Sequence, residues 1–350
     1  MNPLASIRWK RDLSSNLQIQ AIYLPKSKKI FKVSNLVLDI LNYCLFPRSK
    51  NNIRNYLTKE KIDSGFQKIF EDLTSQKILV DYKNKDYSIW LKMGWRNALY
   101  FHLFTKDIKY FDMGQVGEEK TKSKVLSDYV KLGGFPKFFK EFKKSKKLPL
   151  PEDFDNSLGH ILLNRRTKRA FPNRGINISK LATLLYYSTQ PAKVVRNFSS
   201  MRSKNNPLIL TLSSYTPFEV YFVVFKVSGI KNGIYHYNMR DHSIHLIKKG
   251  NFSTKITKIG IGQKIKNSNL CILISSDFGR YMWRYRDSRA LRNVYIECSS
   301  LAHRIILTAE ALDLGCFLTP ALRDTIADEF LKIDGFNESV TYLLTIGNKW

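Results

Sequence analysis

Three arginines and a threonine fall within one short stretch of the sequence: Arg165, Arg166, Thr167 and Arg169. An apolar run precedes them, and after Pro172 the apolar residues recur at helical spacing. Guanidinium groups bind phosphate oxygens through paired hydrogen bonds, and a hydroxyl adds a further donor. The stretch therefore predicts a phosphate-binding turn between two helices. The alternative is a solvated basic face of a lysine-rich protein.

Three histidines, His236, His242 and His245, are close enough in sequence to raise the question of a zinc site. Because side chains alternate along a strand, His236 and Tyr237 are expected on opposite faces, and no cysteine joins the group. We therefore expect no metal here. His102 lies on an apolar, aromatic helical face and is expected to be a core histidine rather than a ligand.

The four cysteines are Cys44, Cys271, Cys298 and Cys316, and no two of them have C-x-x-C spacing. Cys44, Cys271 and Cys316 lie in apolar runs, which predicts buried thiols. With no signal peptide before them, the pattern favours a cytoplasmic protein. No apolar stretch reaches the ~18 residues of a membrane span, so a membrane protein is not expected.

A length of 350 residues predicts about two domains. The 58 basic and 29 acidic residues give a formal charge of +29, which favours polyanions, membrane surfaces or acidic partners. The lysines are scattered, apart from a cluster in residues 137–147, and a general compositional bias also produces that distribution. We therefore expect no nucleic-acid partner.

Residues 1–110 predict a winged-helix-like module of three helices and a β-hairpin. Its expected elements are short strands in residues 17–33, helices in 33–46, 53–57 and 61–75, and the hairpin in 78–90. Such modules bind DNA through the third helix, or a peptide by strand addition along the wing. The third helix carries at least as many acids as lysines, which argues against a helix lying on phosphates.

A charged segment, residues 111–150, is expected to link this module to a second domain, residues 151–350. The second domain opens with the cationic turn and a helix from Ile178. Further strands are expected in residues 220–227, 233–249, 270–276, 316–320 and 341–348, and helices in 294–314 and 324–333, the first capped by Gly315.

The cationic turn resembles the flavin-phosphate motif of nitroreductase-fold proteins, an R-x-S-x-R-x-F-like pattern with Thr167 in place of serine. The segments PFEVYFVV, GIYHYN, WRYRDSRALRN and LTAEALDLGCFLTPAL occur in the same order in one branch of that superfamily, the SagB-type dehydrogenases. That branch oxidises thiazolines and oxazolines in ribosomally made peptides to thiazoles and oxazoles. The resemblance covers roughly the second half of the chain and, more weakly, the N-terminal module.

The resemblance implies an α+β fold, with a central, mostly antiparallel sheet flanked by helices, behind a winged-helix-like module that handles peptide or dimerises. It also implies bound FMN and a homodimer. The flavin-binding residues that it implies are Arg165, Arg166, Thr167, Arg169, Ser213, Ser214, Glu219, Thr319, Pro320 and Ala321. The family has a glycine where this chain has Ser213, and serine is the least bulky replacement that carries a Cβ.

A Lys-Tyr pair is implicated in catalysis in that branch, and the matching residues here are Arg284 and Tyr285. An arginine stays protonated and cannot act as a base, although it can stabilise developing negative charge. Tyr285 is then the candidate general base. The alternative is a structural cluster of arginine and aromatic residues. The implied partners are an azoline-containing precursor peptide and the cyclodehydratase proteins that make the azoline.

Three other functions stay open at this point. One is a nicotinamide-dependent reductase of nitro compounds or quinones. Another is a degenerate, flavin-less scaffold subunit of a peptide-modifying complex, to which the Arg284 and Ser213 departures point. The last is a winged-helix DNA regulator, which the acidic third helix disfavours.

Overall fold

The structure is a computed structural model that describes residues 2–3, 6–11, 18–24, 29–32, 34–44, 48–59, 66–76, 78–80, 88–106, 157–202, 216–263 and 267–350. The chain divides into two compact units. The first comprises Met1–Lys106 with Tyr285–Arg289, and the second Asp107–Arg284 with Ala290–Trp350. The expected linker, residues 111–150, lies outside the described residues.

The three helices expected in the first unit are present: α1 (Asn35–Tyr43), α2 (Lys50–Lys59) and α3 (Phe66–Ser75). Their apolar faces meet in one core, in which Ile40 and Ile53 are almost completely buried. Amphipathic spacing alone was enough to find these helices, because each needs a partner for its apolar stripe.

The strands of the first unit are β1 (Asn2–Pro3), β2 (Ser6–Arg11), β3 (Gln18–Leu24), β4 (Lys29–Lys32) and β5 (Leu79–Val80). The order β2-β3-β4 makes a three-stranded antiparallel sheet. The short strands expected in residues 17–33 are therefore confirmed, and β2 adds a third. β5 pairs with β1 instead of with a following strand.

The sequence prediction of a second hairpin strand, at the end of residues 78–90, is wrong. Ser88–Lys92 forms helix α4, and Arg96–Thr105 forms helix α5. Trp90 and Trp95 are fully buried and meet edge to face, with ring centroids 5.8 Å apart. Burial of two tryptophans outweighs the local β propensity of this run. The turn between the expected arms, residues 81–87, lies outside the described residues.

His102 is a core histidine, as expected. Its side chain is buried, and its ring stacks on Trp90 with centroids 5.6 Å apart.

The second unit follows the expected order of elements closely. Its helices are α6 (Ser157–Asn164), α7 (Ile178–Arg202), α8 (Ser253–Ile259), α9 (Phe278–Arg284), α10 (Leu291–Ala311) and α11 (Asp324–Leu331). Its strands are β6 (Ile176–Asn177), β7 (Phe218–Val224), β8 (Val227–Ser228), β9 (Gly233–Asn238), β10 (Ser243–Lys249), β11 (Leu270–Asp277), β12 (Leu314–Thr319) and β13 (Glu338–Asn348).

Six of these strands form one sheet in the order β10-β9-β7-β11-β13-β12, and every neighbouring pair is antiparallel. The α+β class with an antiparallel central sheet is therefore confirmed. Cys271 and Leu273 of β11 pack into a core with α8 and α11. Side chains alternate along a strand, so Ser276 faces the other way and contacts Cys298 of α10. Helices on both faces explain why β11 is apolar on both faces from Leu270 to Ile274.

Gly315 does not cap α10, contrary to the sequence expectation. The helix ends at Ala311, Asp313 takes the left-handed conformation with φ 54°, and Gly315 lies inside β12. All four cysteines are buried free thiols, as expected for three of them. In the described part of the chain, no helix is both long enough and apolar enough to cross a bilayer.

Candidate functional site

The cationic turn lies along the free side of β12, the last strand of the sheet. Thr167 forms a parallel bridge with Cys316, and the Lys168 backbone N–H donates to the Cys316 carbonyl at 3.0 Å. The Arg165 N–H donates to the Ile161 carbonyl at 3.1 Å, which continues the last turn of α6. The turn is thus fixed at one end by a helix and in its middle by a sheet edge.

Phe171 anchors the other end of the turn. Its side chain is almost completely buried against β12 and β13. Gly315 and Gly347 face each other across these strands. A Cβ on Gly347 would lie 2.7 Å from the Phe171 ring, and one on Gly315 would lie 3.2 Å from it. Two opposed glycines therefore make a flat platform on which the ring rests.

The arginines of the turn have no carboxylate within ion-pair distance among the described residues. The Arg166 guanidinium donates to the Leu163 carbonyl at 2.7 Å. The Arg169 guanidinium lies 4.8 Å from the centroid of the Phe317 ring. Arg165 is half-buried, and Arg166 and Arg169 are exposed. Such uncompensated guanidinium groups, beside a hydroxyl on a rigid turn, fit the phosphate of a flavin mononucleotide.

Cys316 lies under this turn, and its thiol is expected to be unreactive. Burial raises the pKa of its thiol to about 12, although the charge of Arg165 acts in the opposite direction. A protonated, buried thiol is a poor nucleophile, so Cys316 belongs to the packing of the turn.

The turn after β12 holds the next predicted residues. Thr319 is buried, and its hydroxyl accepts hydrogen bonds from the Ala321 N–H at 3.0 Å and from Gln263 Nε2 at 3.1 Å. Pro320 is exposed and Ala321 is half-buried. Thr319 lies three residues beyond Cys316, or about 10 Å along the strand. The fold therefore brings the cationic turn and Thr319–Ala321 to one edge of the sheet.

Glu219, at the start of β7, lies at the centre of a charged cluster. Arg196 of α7 and Arg280 of α9 both bind its Oε1 atom, Arg196 at 3.2 Å. Both guanidinium groups also donate to the carbonyls of Thr216 and Phe218. Arg196 and Arg280 therefore clamp the turn that leads into β7 from two different helices.

The second oxygen of Glu219 is also occupied, since His236 Nε2 lies 3.0 Å from Oε2. Burial alone would raise the pKa of Glu219, but the His236 hydrogen bond and the charges of Arg196 and Arg280 outweigh it and lower that pKa to about 2. Burial also lowers the pKa of Arg196, to about 10. Glu219 is an ionised, fully engaged structural carboxylate in this arrangement.

Sequence reasoning did not anticipate Arg196 or Arg280 as partners of Glu219. They lie 23 residues before it and 61 residues after it in the chain. No spacing rule links positions that far apart, so only the sheet and its covering helices reveal the cluster.

Arg284 is the last residue of α9 and is exposed, whereas Tyr285, the next residue, is half-buried. The Tyr285 carbonyl accepts a hydrogen bond from the indole N–H of Trp95. The Ser288 hydroxyl donates to the Gly94 carbonyl at 3.2 Å and accepts from the Asn97 N–H at 3.1 Å. Residues Tyr285–Arg289 are thus fastened within the first unit.

Gly94 makes this fastening possible. Its φ is +77°, and a Cβ there would lie 2.1 Å from the Arg286 carbonyl oxygen. Only glycine allows both the left-handed conformation and so close an approach of backbone. The sequence analysis did not single out Gly94, because the contact that requires a glycine involves Arg286, far along the chain.

His236 of β9 and His242, in the turn before β10, engage protein groups. His236 binds Glu219, and His242 Nδ1 makes a 2.7 Å hydrogen bond with the Tyr237 hydroxyl. His236 is half-buried and Tyr237 buried, in agreement with the expected alternation. Within the described residues, no group of three or more potential metal ligands occurs.

The predicted flavin residues do not all lie together in one chain. The cationic turn and Thr319 belong to β12, while Glu219 belongs to β7, and β13 and β11 lie between them. Three strand spacings amount to about 14 Å. Ser213 and Ser214 lie outside the described residues.

Two curated relatives come from Rhizobium leguminosarum bv. trifolii. Trifolitoxin operon protein TfxC is 25% identical over 270 residues, which are 74% of this chain and 73% of TfxC. Trifolitoxin-processing protein TfxB is 25% identical over 259 residues, 71% of this chain and 65% of TfxB. The match therefore spans slightly less than two thirds of TfxB.

Among solved structures, a nitroreductase-type protein of Anabaena variabilis superposes with a TM-score of 0.45 and 24% identity. The superposition covers 55% of this chain and 38% of that one.

The model of the nitroreductase family matches residues 215–348. That range includes all six strands of the central sheet, the Thr319 turn, and Glu219 with His236 and Arg280, but not Arg196. The second unit therefore carries a nitroreductase-family domain.

Proposed function

We propose that this protein is an FMN-dependent dehydrogenase that oxidises thiazolines or oxazolines in a ribosomally made peptide. The observation that carries the proposal is the cationic turn, with its uncompensated arginines fixed to the edge of a nitroreductase-type sheet. Arg165, Arg166, Thr167 and Arg169 would hold the flavin phosphate. Thr319, Pro320 and Ala321, on the same strand edge, would hold the ring system.

Tyr285 acts as the general base in this proposal. Its hydroxyl, once deprotonated, takes the proton from the α carbon of the azoline ring. Arg284 lies next to it in the chain, and its guanidinium favours the phenolate and stabilises negative charge that develops on the substrate. FMN, when bound, would supply the two-electron oxidant for the hydride that leaves the adjacent ring carbon, with dioxygen as the final acceptor of the electrons. The protein then contributes placement and charge stabilisation.

The peptide substrate is supported by the relatives. One of them, TfxB, is a trifolitoxin-processing protein, and TfxC belongs to the trifolitoxin operon. We extend this to the present chain as a peptide-modifying role, in a complex with the cyclodehydratase that makes the azoline. The first unit would then serve peptide handling or dimerisation.

A homodimer is also part of the proposal. In this proposal both subunits contribute to the flavin site, and the second copy supplies Ser213–Ser214. Glu219, whose two oxygens are engaged within its own chain, would support the site by fixing the start of β7. Light scattering of the purified protein should give twice the chain mass of 40.8 kDa. A monomer that retains flavin would contradict this arrangement.

The central experiment combines the visible spectrum with turnover. The purified protein should be yellow and release FMN on denaturation. With its cyclodehydratase and peptide, it should remove two hydrogens per azoline, as seen by mass spectrometry. The Arg165→Ala/Arg169→Ala variant should lose the flavin while keeping its fold by circular dichroism, because the phosphate loses two bidentate partners.

Other outcomes identify the rival functions. A colourless protein that does not bind added FMN would point to a scaffold subunit, which the Arg284 and Ser213 departures favour. Rapid oxidation of NADH with menadione, without azoline oxidation, would point to a quinone or nitro reductase. A double variant with full flavin content would place the phosphate elsewhere.

A further inference from the structure

A cavity of about 390 Å³ opens in the second unit between the C-terminal half of α7 and the end of β9. Lys193 and Arg196 line it from α7, Glu219 and His236 from the sheet, and Arg240 from the turn before β10. Its volume lies within the range of small-ligand sites in proteins. Nothing in the proposed reaction uses Lys193 or Arg240.

Positive charge is in excess in this cavity. Three lining residues are cations (Lys193, Arg196 and Arg240), and one, Glu219, is a carboxylate. Both Glu219 oxygens are already engaged, by Arg196 and Arg280 on one side and His236 on the other. Among the described residues, neither Lys193 nor Arg240 has a carboxylate within 4 Å. Two cations are therefore left uncompensated at the same opening.

Arg196, which lies deeper in the cavity, would also be stabilised by an added negative charge. Arg196 is largely enclosed, and burial lowers its pKa to about 10 even though Glu219 lies beside it. Arg280, a second cation on the same carboxylate, adds to that lowering. An added negative charge in the cavity would offset the cost of holding these guanidinium groups together.

The walls suit an organic anion. Tyr237 and Met239 are buried and line the cavity, so methylene groups can pack against them. The Asn238 side-chain oxygen accepts from the Arg240 N–H at 3.0 Å, which fixes the backbone of the turn that carries Arg240. An ammonium and a guanidinium at one mouth can share the two oxygens of a carboxylate.

We infer that this cavity binds the carboxylate of an aspartate or glutamate side chain in a peptide. The identity of the carrier rests on the proposed function, which makes a peptide the substrate. The oxyanion chemistry is independent of it and would also accommodate free phosphate. The cavity would give the protein a preference for an acidic residue in its peptide.

The test measures binding to the full-length protein. The probes are an end-blocked heptapeptide, GGGEGGG, and its counterpart with glutamine in place of glutamate, followed by ligand-observed NMR at low ionic strength. The wild type should bind the glutamate peptide about tenfold or more tightly, the scale of hydrogen bonds to a charged group. Lys193→Gln/Arg240→Gln should abolish this difference.

A matched control separates the cavity from the general charge of a +29 protein. Lys231→Gln/Lys258→Gln also removes two positive charges, but from exposed positions that do not line the cavity. This variant should keep the preference for glutamate. Water-soluble carbodiimide, which joins a carboxylate to a contacting amine as an amide with loss of water, should couple the glutamate peptide to Lys193 in preference to Lys231 and Lys258.

Several results would overturn the inference. They are equal binding of the two peptides to the wild type, an undiminished preference in the cavity variant, or an equal loss in the control variant. Saturable binding of inorganic phosphate, with no preference for the glutamate peptide, would show that the cavity binds oxyanions but does not recognise an acidic peptide residue. Because the readout is binding, the result is independent of whether azoline oxidation is detected.

Discussion

The side chain that decides the proposed chemistry is Tyr285. The chain offers no lysine at the preceding position, and Arg284 cannot take a proton at working pH. The Tyr285 backbone is held by Trp95. A tyrosine with its backbone fixed and a cation next to it in the chain has the attributes of a general base.

Tyr285→Phe should lower azoline oxidation by roughly 10²- to 10⁴-fold, the scale of losing a general base. Flavin content should stay unchanged, because the ring remains and only the hydroxyl is removed. Rates would be followed by mass spectrometry as the loss of two hydrogens from an azoline peptide. Oxidation at the wild-type rate would leave this segment with a packing role only.

Arg284→Lys is the companion variant. Lysine restores a side chain that can lose its proton, so the activity should fall little or even rise. The effects of the Arg284→Lys and Tyr285→Phe substitutions should not add, because both act on one proton transfer. Strict additivity of the two effects would separate their roles.

At the scale of elements, the glycine platform positions the cationic turn. Phe171 lies on Gly315 and Gly347, two residues opposed on β12 and β13. The β-bridge of Thr167 with Cys316 and the hydrogen bond from the Lys168 N–H to the Cys316 carbonyl hold the turn against β12. The Phe171 ring anchors the residues that follow the arginines. The position of the arginines therefore depends on the missing side chain of Gly347, far from them in sequence.

Gly347→Ala should destabilise the protein by about 1–3 kcal/mol, since its Cβ would meet the Phe171 ring at 2.7 Å and force it to shift. Retention of FMN should weaken as well. Urea denaturation and flavin content are the measurements. Gly175→Ala is the control, because its Cβ would make only ordinary contacts at 3.4 Å and beyond. Unchanged stability in Gly347→Ala would show that the ring yields without cost.

The clamp around Glu219 joins four elements: α7, β7, β9 and α9. Because the clamp depresses the pKa of Glu219 to about 2, the ionised form stabilises the fold. This contribution is complete above the unfolded pKa near 4.5 and is lost as the pH falls through about 2. A difference of that size corresponds to about 3 kcal/mol.

Glu219→Gln should therefore lower the free energy of unfolding at pH 7 by roughly 2–4 kcal/mol, because two half-buried guanidinium groups lose their counter-charge. Between about pH 5 and pH 2, its stability should fall less steeply than that of the wild type. Urea titrations across this range would measure both effects. Glu329→Gln, at an exposed position, is the control. Parallel pH profiles for wild type and Glu219→Gln would contradict the assignment.

At the scale of the whole molecule, the chain combines a small unit of helices and short strands with a nitroreductase-family domain. Residues Tyr285–Arg289 leave the second unit in sequence and belong to the first. The proposed base, Tyr285, therefore belongs to the first unit, whereas Arg284, the residue before it, belongs to the second. The net charge of +29 is in keeping with a peptide partner of acidic character.

Patterns that repeat locally were readable from the sequence. Amphipathic spacing gave the three helices of the first unit, and continuous apolar runs gave β7, β11 and β13, because burial on one or both faces dictates these periods. The ordered motifs gave the α+β class and the family resemblance. The cluster of Arg165, Arg166 and Arg169 was visible because its members are neighbours in the chain.

Contacts between distant residues were decided only by the tertiary structure. Local propensity predicted a strand through Ser88–Trp90, but burial of Trp90 against Trp95 made a helix. Gly315 was expected as a helix cap, but it lies in β12 and supports Phe171. The sequence could not distinguish these two roles, because a glycine suits both. The Glu219 clamp and the cavity beside it depend on α7, β9 and α9 meeting at one place. No local sequence pattern predicts that these three elements meet, because their proximity follows from how the helices pack on the sheet.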